Sequence, residues 1–139
     1  AAVYRREAAS GYEPSPKSAL KASADLLCWD GASLVALSSD GLLARLKPGS
    51  AEYQLPFKPA GLACSPGRLW ALDRAGSLHR YAFDGGVPLA DGEADIRRWL
   101  PKDGPDGFTV SGGFAWISGG NPPELLRLDL AKAGFRGGR

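Results

Sequence analysis

Few side chains in this chain could do chemistry. The one histidine, His79, sits inside Leu78-His79-Arg80-Tyr81. Any Ser-His-Asp triad would need it as the base, and the chain carries no Gly-x-Ser-x-Gly nucleophile elbow. Its counterparts in two related segments are Ala44 and Leu126, so it reads as a packing or surface residue and no catalytic residue is assigned. Two cysteines, Cys28 and Cys64, are too few for a disulfide framework or a zinc site. Asp-Gly dipeptides begin at Asp30, Asp40, Asp84, Asp91, Asp103 and Asp106. Tight turns explain them, because Asp accepts backbone hydrogen bonds and Gly adopts positive φ. None has the spacing of an EF-hand loop, so no metal site is assigned. Gly112-Gly113 and Gly119-Gly120 flank a strand and do not match a phosphate-binding loop, so no cofactor is expected.

The elements that must position these residues repeat. Leu69-Trp70-Ala71-Leu72, a turn ending at Gly76 and Leu78-His79-Arg80-Tyr81 form the middle copy. Leu34-Val35-Ala36-Leu37, Gly41 and Leu43-Ala44-Arg45-Leu46 form the first. Phe114-Ala115-Trp116-Ile117 and Leu125-Leu126-Arg127-Leu128 form the third. Short apolar runs separated by Asp-Gly and Pro-Gly turns predict antiparallel meanders rather than long helices. Gly 19 and Pro 11, spread along the chain, agree with many tight turns.

The first unit, residues 24–58, predicts strands at Leu26–Trp29, Ser33–Leu37, Leu42–Leu46 and Glu52–Leu55. The second, 59–105, predicts strands at Leu62–Cys64, Leu69–Leu72 and Ser77–Phe83. Its fourth element is Ile96–Leu100, as a strand or as a short helix from Asp95, after a loop bounded by Asp84-Gly85-Gly86 and Asp91-Gly92. The third, 106–139, predicts strands at Phe108–Val110, Phe114–Ser118 and Leu125–Leu130, with no fourth strand in its tail. Residues 1–23 read as a strand at Ala2–Arg6, available to complete the last unit, followed by an extended linker. Aligning Leu34 with Leu69 sets Cys28 on Ala63 and Trp29 on Cys64, placing the two thiols on opposite faces of equivalent strands. Opposite faces of neighbouring units look at each other, so a bridge is conceivable. Two buried free thiols are the expectation.

A length of 139 residues suffices for one domain with a real core, and a hydrophobic fraction of 44% is that of a globular chain. The 17 basic and 15 acidic residues are interspersed, giving a net charge of +2. No basic block marks a nucleic-acid partner, and no apolar run approaches the ~20 residues that span a bilayer, so neither nucleic acid nor membrane insertion is expected. The chain starts Ala-Ala and contains no Met, which reads as a processed or excised chain with no compartment assigned.

Pro59-Ala60-Gly61-Leu62-Ala63, Gly67-x-Leu69-Trp70-Ala71-x-Asp73 and Leu78-x-Arg80-Tyr81 together resemble a β-propeller blade, closest to NHL-type and related bacterial repeats. The third unit keeps Pro105-Asp106-Gly107-Phe108 and Ala115-Trp116-Ile117, with Gly119 near the place of the Asp. The first keeps the apolar skeleton and Arg45. The resemblance implies an all-β partial β-propeller of three four-stranded antiparallel blades over residues about 24–130. Propellers close with 4–8 blades, so three would leave two apolar terminal faces. The expected partner is therefore a protein, either a second copy completing a homo-oligomer or blades of another chain; the alternative is that the chain is a fragment of a larger propeller.

Propellers host binding modules and enzymes alike. The expectation is a non-catalytic binding or assembly module. Half of a propeller lyase or hydrolase, and a carbohydrate-binding lectin-like propeller, are the alternatives. Trp29, Trp70 and Trp116 sit in apolar strands and read as core between blades. Turns between the second and third strands of each blade share one rim, and loops on a rigid scaffold generally carry function. Candidate ligand-binding residues there are Asp40, Asp73, Arg74 and Asn121.

Overall fold

The computed structural model describes residues 5–7, 11–13, 24–46, 51–84 and 87–137. Almost all regular structure is strand. The N-terminal hairpin pairs β1 (Arg5–Glu7) with β2 (Gly11–Glu13). The first sheet is a meander of β3 (Leu26–Trp29), β4 (Leu34–Leu37), β5 (Leu42–Arg45) and β6 (Ala51–Gln54). The second repeats it with β7 (Pro59–Ser65), β8 (Arg68–Asp73), β9 (Ser77–Asp84) and β10 (Val87–Asp95). The third contains β11 (Pro105–Ser111), β12 (Phe114–Gly119) and β13 (Glu124–Asp129). Among the described residues the strands of these three sheets pair antiparallel with their chain neighbours, as short turns dictate.

The sheets stack face to face in a partial-propeller-like arrangement. The first strand of the second sheet, β7, lies beside both β3 and β11. Strand β8 shows why one sheet can serve two interfaces. Side chains alternate along a strand. Leu69 and Ala71 enter a core with Val35, Leu37, Leu43 and Leu55 of the first sheet. Trp70 and Leu72 enter another with Ala115, Ile117 and Leu128 of the third. Close approach at the inner edge needs Gly61, where a Cβ would stand 2.8 Å from the Phe108 Cβ.

Cys28 and Cys64 form a disulfide with their Cα atoms 5.7 Å apart, which corrects the expectation of free thiols. Cys28 faces the second sheet and Cys64 the first, so the stacked sheets bring them together.

The fourth strand of the second sheet also differs from expectation. It is Val87–Asp95, running through the segment read as a loop. A β-bulge between Ala90 and Gly92 absorbs the Asp91-Gly92 pair. Residues Arg97–Trp99 form a single 3₁₀ turn, with Ile96 fully buried before it. Asp106-Gly107 likewise sits within β11 at a register shift rather than in a turn.

The third sheet draws three strands from its own segment. Arg5–Glu7 pairs with Gly11–Glu13, inside the stretch read as linker, and Ala2–Tyr4 of the strand read at Ala2–Arg6 lie outside the described residues. The tail instead turns back onto the second sheet. Glu93 and Arg136 exchange backbone hydrogen bonds of 2.9 and 2.8 Å, and Phe135 packs on the core between the second and third sheets.

Pairing also resets the repeat. Leu69 lies opposite Tyr81 in the second sheet, and Ala115 lies opposite Leu128 in the third. Hence Leu69-Trp70-Ala71 corresponds to Ala115-Trp116-Ile117, one residue later than the apolar quartet beginning at Phe114 suggests. In this register Trp70 matches Trp116, and Asp73 matches Gly119.

Candidate functional site

The four rim residues lie on equivalent turns. Asp40 is on the β4–β5 turn, Asp73 and Arg74 are at the β8–β9 turn, and Asn121 is on the β12–β13 turn. Among the described residues no hydrogen bond or ion pair joins one of these turns to another. Each acid serves its own turn. The Asp40 carboxylate accepts from the Ser38 hydroxyl, which holds its pKa below the ordinary carboxylate value. Asp73 Oδ1 accepts from the Ser77 amide at 3.0 Å. Ser38 Oγ accepts from the Leu42 amide at 3.0 Å at the matching place. Arg74 Nε donates to the Pro59 carbonyl at 3.4 Å, and exposed Asn121 precedes a cis bond to Pro122.

His79 is held rather than presented. Its Nε2 lies 2.7 Å from Asp73 Oδ2, and its Nδ1 lies 3.7 Å from Glu93 Oε1. The ring stacks on Phe57, with centroids 3.9 Å apart. Carboxylates face both nitrogens, so no free ring nitrogen is aimed at a hydroxyl or thiol. The arrangement suits an ordered packing residue better than a general base.

Asp30 closes the β3–β4 turn, 4% exposed. Its Oδ1 accepts from the Ala32 and Ser33 amides at 2.9 and 2.7 Å, and its Oδ2 from Arg45 Nε at 2.9 Å. Burial pushes its pKa up, but the Arg45 and backbone donors outweigh this and leave it below the ordinary value.

An 820 Å³ recess lies between the end of β10, the 3₁₀ turn and the tail. Its charged groups are largely paired. Arg97 is bidentate to Asp95, drawing that carboxyl down to about 2, and Arg98 lies 4.2 Å over the Trp99 ring. The sequence reading missed this recess because the tail that walls it had no strand signal. It contains no nucleophile–base pair.

Two uncovered sheet faces are the more distinctive surfaces. On the first sheet, Leu27, Trp29 and Leu34 are 58, 61 and 37% exposed and belong to neither core. Cross-strand pairing sets Leu27, Ala36, Ala44 and Glu52 in one row and Trp29 with Leu34 in the next. On the third sheet, Thr109, Trp116 and Arg127 form one row, and Ser118 and Leu125 another. Leu125 is 66% exposed, and neither Phe114 nor Trp116 enters a core. Arg127 lies 4.9 Å over the Phe114 ring and 5.9 Å over Trp116.

These positions correct the reading of the tryptophans as core between blades. Trp70 is buried there; Trp29 and Trp116 lie on the outer faces. The signal was present in the repeat, where Trp29 aligns with Cys64, a residue that faces the preceding sheet. Among the described residues there is no group of three or more His, Cys, Asp or Glu side chains able to hold a metal, and no helix long and apolar enough to cross a membrane. No family model matches the chain, and no curated protein is significantly similar to it.

Proposed function

We propose that this chain is a non-catalytic binding and assembly module of the β-propeller type, with blades nearest the NHL-like repeats, acting through protein–protein contacts at its two terminal faces. One observation carries this reading. The outer face of the first sheet repeats, position by position, the face that the second sheet buries. Leu27, Leu34 and Ala36 correspond to Leu62, Leu69 and Ala71. The latter three are 6, 0 and 0% exposed, whereas Leu27 and Leu34 are 58 and 37% exposed, with the small Ala36 between them buried. Large apolar side chains contribute roughly 1.5–3 kcal/mol each on full burial, so a partner gains from covering this patch. Contiguous exposed apolar surface rimmed by polar groups marks interaction sites. The disulfide fits a protein working in an oxidising compartment.

Sedimentation velocity of the 139-residue chain, together with hydrophobic-dye fluorescence, tests the reading. The expected result is either association, or a monomer that binds dye and loses that binding on Leu27→Ser with Trp29→Ser. A monodisperse monomer that binds no dye would overturn it.

A further inference from the structure

We propose that the partner of the third sheet's outer face is the first sheet's outer face of a second copy, and that two such contacts close a ring of six sheets. The inference rests on the assembly reading above and commits it to one occupant.

Each internal interface joins the same two kinds of face. A leading face carries Val35, Leu37 and Arg45 in the first sheet, and Trp70, Leu72 and Arg80 in the second. A following face carries Leu62, Leu69 and Ala71 in the second sheet, and Phe108, Ala115 and Ile117 in the third. The leading faces of the first and second sheets are each covered by the following face of the next sheet. Among the described residues one face of each kind is left without such a partner. The third sheet presents a leading face, with Trp116 and Arg127 at the places of Trp70 and Arg80. The first presents a following face, with Leu27, Leu34 and Ala36.

The recurring arginine lies over an aromatic ring in all three sheets. Arg45 crosses its interface to lie 5.2 Å over Phe83 of the second sheet. Arg80 lies 4.6 Å over Phe135, in the segment that follows the third sheet. Arg127 covers Phe114 and Trp116 of its own sheet, and among the described residues no sheet follows it. The unused following face bears the exposed acid Glu52 in the Leu27–Ala36–Ala44 row, a charge complement for Arg127.

Unlike faces on one molecule make a head-to-tail contact, which closes into a ring when the rotation permits. Two copies give six sheets, within the range in which propellers close. Neither unused face is complementary to itself in this scheme, so a face-to-itself dimer is excluded by it.

The native disulfide provides the test. Thr109 occupies the place of Cys28 on a leading face, and Trp29 occupies the place of Cys64 on a following face. Chains carrying Thr109→Cys and Trp29→Cys separately, mixed under mild oxidation, are expected to yield a covalent dimer that neither yields alone. Both substituted residues are exposed. The unmodified chain is expected at twice its 14.6 kDa mass, and Trp29→Ala is expected to weaken that association at least tenfold. A mixture that does not cross-link, a Trp29→Cys chain that cross-links to itself, a mass above two chains, or no effect of Trp29→Ala would each overturn the head-to-tail ring. A monomer that still binds hydrophobic dye would overturn the ring and leave the assembly reading standing. A monomer that binds none would overturn both.

Discussion

The first and second sheets meet across the Cys28–Cys64 disulfide and the stacking of Arg45 over Phe83, around Leu37, Leu69 and Tyr81. The second and third meet across a core of similar make-up around Leu72, Leu78 and Ile117, with no disulfide between them. There the chain itself supplies the fastening. Ile96 and the turn after it fill one side, and the tail returns through Phe135 to pair Arg136 with Glu93. Equivalent faces are thus joined by two devices, one covalent and local, the other a segment that crosses between sheets. The difference follows from position. The first interface has a cysteine on each facing strand, whereas the second has chain beyond its last strand that can fold back.

The largest separation of the two interfaces should come from replacing both cysteines with serine. The bridge spans a sequence separation of 36, for which chain entropy gives about 3–4 kcal/mol. Urea denaturation should show that loss. Hydrogen exchange should speed first in β3–β6, while β11–β13 keeps its protection. Equal acceleration in β11–β13 would mean that the interfaces are one cooperative unit.

A smaller loss, about 2 kcal/mol, is expected from Arg45→Met, which removes a charged hydrogen bond to a nearly buried carboxylate. The acid limb should report it as well. The folded pKa of Asp30 lies below its ordinary 3.8, so its contribution is present above that pH and is lost as pH falls through the folded value. Arg45→Met should flatten this acid dependence; an unchanged acid limb would remove Asp30 from the account of the first sheet's stability.

On the other side, Phe135→Ala should cost about 1–2 kcal/mol, less than a fully buried phenylalanine because this ring is only partly covered. Exchange at the Glu93 and Arg136 amides should accelerate more than at Leu69 or Ala71. If those two amides kept their protection, the tail would not depend on its aromatic anchor.

The smallest change at neutral pH is expected from Tyr81→Phe, within about 1 kcal/mol. Burial pushes the Tyr81 hydroxyl up to about 12, so the folded state favours its neutral form. That stability is fully present below pH 10 and fades as pH rises from 10 to about 12. Alkaline denaturation should therefore shift to higher pH in the variant, and no shift would place the alkaline transition elsewhere.

Much of the fold was legible because its signals are local. Asp30-Gly31 and Asp40-Gly41 turns with apolar quartets between them mark β3 to β6 nearly residue for residue. Where one signal served two outcomes, the reading failed. Asp91-Gly92 has the composition of a turn, yet the long hairpin of β9 and β10 carries it as a bulge. Phe114 matches Leu69 in hydrophobicity, but only the pairing of Ala115 with Leu128 shows that the register lies one residue later. The candidate rim acids were legible as turn residues; their lack of any link between turns was not, because it depends on how the sheets stack.

The sequence by itself determined most of the strands, their antiparallel order and the existence of three related units, since turn chemistry and period-two alternation act over a few residues. It also determined that the two cysteines lie on opposite faces of equivalent strands. Tertiary structure decided the rest. Stacking turned those opposite faces into facing ones and made the disulfide. It buried Trp70 while leaving Trp29 and Trp116 outside, because burial depends on whether a next sheet exists. It sent the tail back to the second sheet, an outcome set by the long-range fit of Phe135 and Arg136 that no local pattern encodes.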